Sequence, residues 1–406
     1  MLNFDYYNPT QIVFGKGSVA RLSQLVPAHA RVLVLYGGGS AERNGTLAEV
    51  EEALGERTVQ RFGGIEPNPS YETLMEAVAL IRREKLDFLL AVGGGSVIDG
   101  TKFVAAAVEY PRDPWHILET FGTEIAGALP FGAVLTLPAT GSEMNNGSVI
   151  SRKSIQAKLP FSSPHTFPRF SVLDPVKTFT LPPRQIANGV VDAFVHVVEQ
   201  YLTYPVNAPV QDRYAEGLLQ TLIEVGPQAL AVPEDYDVRA NLMWAATQAL
   251  NGLIGAGVPQ DWATHMIGHE ITAMFGLDHA QTLAVVCAGL GIQGIFSGLE
   301  TLSIKETDRI AAIRNELAKV GVSFSKLPPH FNKKLPGQTF YHVDGKAQWQ
   351  DTPQFATYGD HRMAMAFAPL ALLAPIRIED PLVVRKSYGS FWEHLGSVGF
   401  TRDVRG

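Results

Sequence analysis

The chain has 406 residues, 46% hydrophobic and 18% charged, with a formal net charge of −7 at pH 7. This length exceeds one ordinary core and predicts two or three domains, and the composition excludes a largely disordered chain. No apolar run approaches the ~20 residues that span a bilayer, no secretory signal is evident at the start, and neither half has a basic stripe suited to nucleic acid. The single cysteine, Cys287, fits a reducing compartment, so we expect a cytoplasmic protein.

Three strand-like runs in the first 150 residues end in glycine or other small residues. They are RVLVLYGGGS at 31–40, LDFLLAVGGGS at 86–96 and GAVLTLPATGS at 132–142, with the helical pattern YETLMEAVALIRREK between the first two. Alternating strands and helices predict a parallel α/β sheet of Rossmann-like type, which binds ligands at the carboxyl ends of its strands. Glycine there lets a pyrophosphate approach the backbone and the following helix. For either GGGS alone, a tight turn that needs positive φ is the alternative.

The first glycine run indicates which dinucleotide would bind. No carboxylate stands at the end of that strand to hold a 2′-hydroxyl or repel a 2′-phosphate. The small N–H and O–H donors of Gly37–Ser40 therefore favour NADP(H) over NAD(H).

Beyond Pro182 and Pro183 the strand signals stop and helical patterns follow, bearing possible metal ligands. NGVVDAFVHVVEQY places Asp192 and His196 four residues apart on one helix face. Further on, His265 and His269 are again four apart, and His279 follows. One aspartate with three imidazoles suits Zn²⁺ or Fe²⁺, although any one of these histidines alone would be better explained as a buried core residue.

Residues 1–286 resemble the iron-containing (type III) alcohol dehydrogenases, in particular the NADP-dependent, butanol-dehydrogenase-like aldehyde reductases. The motifs that carry the resemblance are GGIEPNPSYETL, AVGGGSVIDGTKF, LTLPATGSEMN, LPPRQIANGVVDAFVHVVEQY and GVPQDWATHMIGHEITAMFGLDHAQTLA. The resemblance implies metal ligation by Asp192, His196, His265 and His279, with His269 lining the site without ligating. Because imidazole titrates near neutrality, we expect His269 to be a catalytic proton shuttle. The family commonly has a histidine where Phe275 stands, which affects the proton path rather than the metal ligands.

The resemblance also implies a nicotinamide cofactor, a small aldehyde or alcohol substrate and a homodimer. A metal-polarised carbonyl would exchange hydride with NADP(H). The residues predicted to form the cofactor cleft are Gly37, Gly38, Gly39, Ser40, Asn68, Gly94, Gly95, Ser96, Asp99, Thr136, Leu137, Thr140, Ser142, Lys158 and Leu181.

Residues 287–406 have a different character. They contain 14 Lys/Arg against 11 Asp/Glu, and SIKETDRIAAIRNELAKVGV predicts a strand and then a helix that ends near Gly321. This segment resembles the C-terminal end of 5-enolpyruvylshikimate-3-phosphate synthase. The residues that match the phosphoenolpyruvate site of that family, and that would form an anion-binding remnant here, are Lys305, Glu306, Arg309, Arg362 and Lys386.

We therefore expect a chimera joined at about Val286–Cys287. The predicted regions are a dinucleotide-binding α/β domain at 1–182, a truncated helical metal and substrate domain at 183–286, and an enolpyruvyl-transferase-like α/β fragment at 287–406. The leading hypothesis is a metal- and NADP(H)-dependent alcohol dehydrogenase. One alternative is a 3-phosphoshikimate 1-carboxyvinyltransferase-like fragment, from which we expect no enolpyruvyl transfer because the domain with most shikimate-phosphate contacts is missing. The other is a fusion with a non-catalytic tail.

Overall fold

The computed structural model describes residues 1–155, 157–262, 265, 285, 288–289, 291, 293–297, 308–328, 339–386, 391–397, 401 and 403. The chain forms two compact units, Met1–Ala273 and Met274–Gly406. Among the described helices, none combines the length and the apolar character needed to cross a membrane.

A six-stranded parallel sheet lies at the centre of the first unit, with the strand order β1-β8-β5-β4-β2-β3. An antiparallel hairpin, β6–β7, stands apart from it. The strands are β1 (Gln11–Phe14), β2 (Arg31–Tyr36), β3 (Thr58–Phe62), β4 (Phe88–Gly94), β5 (Phe131–Leu137), β6 (Gly147–Arg152), β7 (Ala157–Ser162) and β8 (Phe170–Leu173). Strands β2, β4 and β5 are buried almost throughout, as continuous apolar runs in a parallel sheet require.

Helices cover both faces of this sheet. They are α1 (Leu22–Leu25), α2 (Ser40–Arg43), α3 (Thr46–Leu54), α4 (Tyr71–Glu84), α5 (Gly95–Ala107) and α6 (His116–Glu119). One core cluster includes Leu74, Ile81 and Phe103 from α4 and α5, and another includes Val50 and Leu54 from α3. The predicted parallel α/β domain is confirmed.

Three long helices form the rest of this unit: α7 (Pro183–Tyr201), α8 (Pro209–Ala231) and α9 (Tyr236–Ala249). They share a core that includes Ala193, Leu222 and Leu242. Helix α7 lies directly on the loop after β5, because a Cβ added to Gly189 would stand 2.5 Å from the Pro138 carbonyl oxygen. This close approach brings the helix with Asp192 and His196 beside the carboxyl ends of the strands, and the predicted helical domain is confirmed.

The second unit has its own small sheets and core. Its strands are β9 (Gly294–Ser297), β10 (Ser323–Lys326), β11 (Phe340–Asp344), β12 (Gln354–Phe355) and β13 (Arg377–Ile378), and its helices are α10 (Arg309–Ala318), α11 (His361–Phe367) and α12 (Phe391–Ser397). Strands β10-β11-β9 are antiparallel, whereas β12 and β13 are parallel. Side chains including Ile313, Leu317, Phe324, Phe355 and Phe367 form the core.

Candidate active site

The second glycine run connects β4 to α5 through a very tight turn. Gly94 is the N-cap of α5, and the pairing of β4 with β5 shifts between Gly93 and Gly94. A Cβ on Gly95 would stand 2.4 Å from the Thr140 hydroxyl, so only glycine fits there. The first turn of α5 has no acidic residue. Its N-terminal N–H groups therefore form an electrostatically favourable place for a pyrophosphate.

The first glycine run precedes α2. Gly39 has φ of +89°, in the left-handed region that favours glycine. The Arg43 guanidinium lies beside it, with Nη1 3.5 Å from the Gly38 carbonyl oxygen. Sequence reasoning missed this cation, although it stands only three residues after Ser40.

A buried polar network fixes the residues beneath α5. The Ser142 hydroxyl donates to Asp99 Oδ1 at 2.5 Å and accepts from Lys102 Nζ at 2.8 Å. Lys102 also donates to Asn145 Oδ1 at 2.8 Å and to the Gly147 carbonyl at 2.7 Å, with no solvent exposure. Burial lowers the pKa of Lys102 to about 8, against the opposing charges of Asp99 and Glu143. Lys102 was not predicted from sequence.

The other predicted cofactor residues lie around these loops. The Asn68 backbone N–H donates to the Ser96 hydroxyl at 3.3 Å, and Lys158 Nζ donates to Asn68 Oδ1 at 2.8 Å. Thr136 and Leu137 are the last two residues of β5. Leu181 packs against the core of α7–α9.

Three of the four predicted metal ligands come together in the structure. Asp192, His196 and His265 each offer one ligand atom, and these atoms lie within 4.8 Å of one another. The rings of His196 and His265 are stacked, with centroids 4.4 Å apart and planes inclined by 19°. The rings of Trp262 and His265 are arranged edge to face, with centroids 5.5 Å apart. The fourth predicted ligand, His279, and the predicted shuttle, His269, lie outside the described residues.

Electrostatics differ sharply between the two imidazoles. Burial lowers the pKa of His196, which keeps that ring neutral, as a metal ligand must be. Burial also acts to lower the pKa of His265, but hydrogen bonds to Asp192 and Glu199 and their charges outweigh it and raise the pKa to about 9. The neutral ring and the mixed N/O donor set of Asp192, His196 and His265 fit a divalent metal.

Lys158 interacts with residues of both predicted sites. Burial lowers its pKa, while the negative charges of Asp99 and Asp192 both act to raise it. The ammonium group is therefore within electrostatic reach of an aspartate from each site.

Glu199 is a further site residue that sequence reasoning missed. It forms an ion pair with His265 and is buried. The signal was available, because Glu199 lies three residues after His196 and seven after Asp192, on the same face of α7. Its partner lies 66 residues away, however, and no local spacing points to that contact.

The predicted anion-binding remnant is only partly described. Arg309 has no solvent exposure, and its Nε donates to Asp360 Oδ2 at 2.6 Å. Arg362 is half-buried in the first turn of α11, and Lys386 ends a 3-10 helix at Pro381–Lys386. Lys305 and Glu306 lie outside the described residues. The ion pair gives Arg309 a structural role in the second unit, and anion binding by this group stays a prediction.

Family profiles match both parts of the chain. The profile described as iron-containing alcohol dehydrogenase matches residues 9–175, and the C-terminal profile of the Fe-containing alcohol dehydrogenase family matches residues 186–321. The profile of EPSP synthase (3-phosphoshikimate 1-carboxyvinyltransferase) matches residues 260–395, so the last two overlap. Both resemblances seen in the sequence are confirmed.

Individual relatives agree with the first of these families. The NADPH-dependent aldehyde reductase YqhD of Escherichia coli K12 is 67% identical over 292 residues, covering 71% of this chain and 76% of that protein. The probable NADH-dependent butanol dehydrogenase 1 of Bacillus subtilis is 47% identical over 289 residues, covering 70% and 74%. A crystal structure of Escherichia coli K-12 YqhD has a TM-score of 0.70 and 61% identity, covering 78% of this chain and 80% of the other.

Proposed function

Because the chain belongs to the iron-containing alcohol dehydrogenase family, we propose that it interconverts small aldehydes and alcohols with a divalent metal and NADP(H). The observation that carries the proposal is the convergence of Asp192, His196 and His265 within 4.8 Å. Lys158 supports the proposal, since the negative charges of both Asp99 and Asp192 act to raise the pKa of its ammonium group. The metal and the nicotinamide would therefore meet in one reaction centre.

Asp192, His196 and His265 would hold the metal, with His279 as the fourth ligand. The ion would supply Lewis acidity toward a carbonyl or alcohol oxygen, and the nicotinamide would give or accept the hydride. The chain itself orients and desolvates the reactants. Burial keeps His196 neutral and available, and His269 stays our candidate for moving a proton. The family description favours iron over zinc, and the experiment below compares them.

The cofactor would lie along the strand ends. Gly95 lets the pyrophosphate approach the start of α5, and the network of Asp99, Ser142 and Lys102 holds that turn in place. For the adenosine end, the cation of Arg43 beside Gly38 and the run Gly37–Ser40, which itself contains no carboxylate, favour a 2′-phosphate. Both features support NADP(H) over NAD(H). The homodimer and the cytoplasmic location stay predictions.

The test is oxidation of NADPH, followed by its absorbance, with butanal as substrate. Metal-stripped protein is reloaded with Zn²⁺ or, without oxygen, with Fe²⁺, and NADH is compared with NADPH. We expect turnover that requires metal, prefers NADPH and disappears in Asp192→Ala. Asp212→Ala, which removes an exposed aspartate from the first turn of α8, is the matched control and should keep the parent rate. Turnover that survives metal removal, or an active Asp192→Ala variant, would contradict the proposal.

A further inference from the structure

The carboxylate of Glu199 contacts His265 at two points. One oxygen, Oε2, forms a short ion pair with the ring nitrogen Nδ1. The other, Oε1, accepts from the His265 backbone N–H at 3.3 Å. The second ring nitrogen, Nε2, lies 3.7 Å from Asp192 Oδ1. The two ring nitrogens of His265 therefore face different partners.

The chemistry of these partners assigns the proton on the ring. An ionised carboxylate only accepts hydrogen bonds, so the Nδ1 atom that faces Glu199 must be the donor. In a neutral imidazole this leaves the lone pair on Nε2, the atom directed at Asp192. The same hydrogen bond selects one of the two ring orientations related by a flip, because the flipped ring would present carbon to Glu199.

We propose that Glu199 is a positioning residue for the metal site, which fixes the tautomer and orientation of His265 so that Nε2 is the ligating atom. Such carboxylate–histidine–metal arrangements raise the basicity of the ligand and hold its ring in place. The inference rests on the proposed function, because it requires that the site bind metal. It adds a residue that neither ligates the metal nor touches the substrate.

The surrounding residues enclose the contact between Glu199 and His265. Glu199 has a side chain only 6% exposed, and its backbone carbonyl accepts from the Asp261 N–H at 2.9 Å, which ties Asp261 to α7. His196 stacks on the face of the same ring, and Trp262 abuts it from the side. Helix α7 thus supplies both ligands and the group that orients the third.

Replacement by glutamine is informative because it keeps the shape and changes only the hydrogen-bonding pattern. If the amide oxygen faces Nδ1, the amide NH₂ points at the backbone N–H of His265. If the NH₂ faces Nδ1, the ring must carry its proton on Nε2, where the metal would bind. Either orientation of the glutamine amide therefore disfavours metal binding by Nε2 of His265. We therefore expect Glu199→Gln to weaken metal binding by about 10–100-fold.

The experiment titrates Co²⁺ into the metal-stripped full chain and follows its visible absorption, with Zn²⁺ affinity measured by competition against a chelator. Glu199→Gln should bind both ions about 10–100-fold more weakly than the parent and give an altered Co²⁺ spectrum. Glu199→Asp, which restores a carboxylate, should recover part of the affinity. The matched control is Glu143→Gln, which neutralises another carboxylate in the same unit, 1% exposed and bonded to Thr247. It should keep the parent affinity and spectrum.

A measurement on the metal-loaded parent needs no substitution. Imidazole ¹⁵N spectra, with His265 assigned from a His265→Asn sample, should show the proton on Nδ1. A proton on Nε2, or a Glu199→Gln variant with the parent's affinity and spectrum, would overturn the inference. So would equal weakening by Glu143→Gln. A parent chain that binds neither ion would overturn the proposed function itself, and the inference with it.

Discussion

Lys102 carries its ammonium group with no solvent exposure, on the helix that follows the second glycine run. Three hydrogen bonds hold it, and one of them is to Ser142, a predicted cofactor residue. Burying this charge is unfavourable even so, and burial therefore lowers the pKa of Lys102 to about 8 from an ordinary value of 10.5. The residue therefore links the turn at the predicted cofactor site to the stability of the fold.

A pH dependence follows from the direction of this shift. Between about pH 8 and 10.5 the unfolded chain keeps the Lys102 proton while the folded chain has lost it. The unfolded state then binds more protons, so Lys102 makes the free energy of unfolding rise with pH in that window. Below pH 8 both states are protonated and this contribution is flat.

Lys102→Met should remove this rise. We expect the stability of the parent relative to Lys102→Met, measured by urea unfolding, to be greater at pH 9.5 than at pH 7.5, and Lys16→Met at an exposed lysine to follow the parent. A constant difference between the parent and Lys102→Met at both pH values would mean that the Lys102 pKa is ordinary in the folded state.

At the scale of elements, the site depends on how α7 meets the loop after β5. That loop carries Thr140 and Ser142, predicted for the cofactor, whereas α7 carries Asp192 and His196. The contact is made at Gly189, where an added Cβ would stand 2.5 Å from the Pro138 carbonyl oxygen. Backbone at that distance cannot yield without moving the helix.

Gly189→Ala should therefore damage both halves of the site together. We expect a loss of about 1–3 kcal/mol in the free energy of unfolding, with weaker binding of both NADPH and Zn²⁺. Gly217→Ala is the matched control, because a Cβ at that position of α8 meets nothing within 4 Å. It should stabilise the chain by about 0.5–1 kcal/mol. A Gly189→Ala variant as stable as Gly217→Ala, with parent affinities, would show that the close contact does not position the helix.

The elements also show where sequence patterns succeed. Strands β2, β4 and β5 are continuous apolar runs ending in small residues, and each was predicted from that pattern. Strand β3 was not, because the run TVQRF is half-exposed at the edge of the sheet and its pairing with β2 is a tertiary contact. The pairing of Asp192 with His196 follows from helical spacing, whereas the contacts of Glu199 and Lys102 join residues 66 and 40 to 45 positions apart.

At the scale of the whole molecule, the change in sequence character and the change in packing fall at different places. The resemblances predict a join at about Val286–Cys287, while the compact units divide between Ala273 and Met274. Val285 and Ala288, on either side of the predicted join, belong to the core of the second unit. The alcohol dehydrogenase and EPSP synthase profiles overlap over residues 260–321. The two boundaries differ because similarity to a family depends on the sequence of each segment, whereas a compact unit depends on which side chains share a buried core.

Separate cores predict separate unfolding. Phe367 is fully buried in the core of the second unit, and the centroid of its ring lies 4.8 Å from that of Phe355. Phe103 is fully buried in a core of the first unit. Truncating a buried phenylalanine costs about 3–5 kcal/mol. We expect two calorimetric unfolding transitions. NADPH should raise the midpoint temperature of only one of them, because a ligand stabilises only the unit that binds it.

Phe103→Ala should lower the midpoint temperature of the NADPH-sensitive transition and weaken NADPH binding. Phe367→Ala should lower the midpoint temperature of the other transition and leave the NADPH affinity at the parent value. The two variants serve as controls for each other, since each removes the same side chain from a fully buried position. If Phe367→Ala lowers the NADPH-sensitive transition as much as Phe103→Ala does, the second unit stabilises the dehydrogenase fold. In that case the two units would not unfold independently of each other.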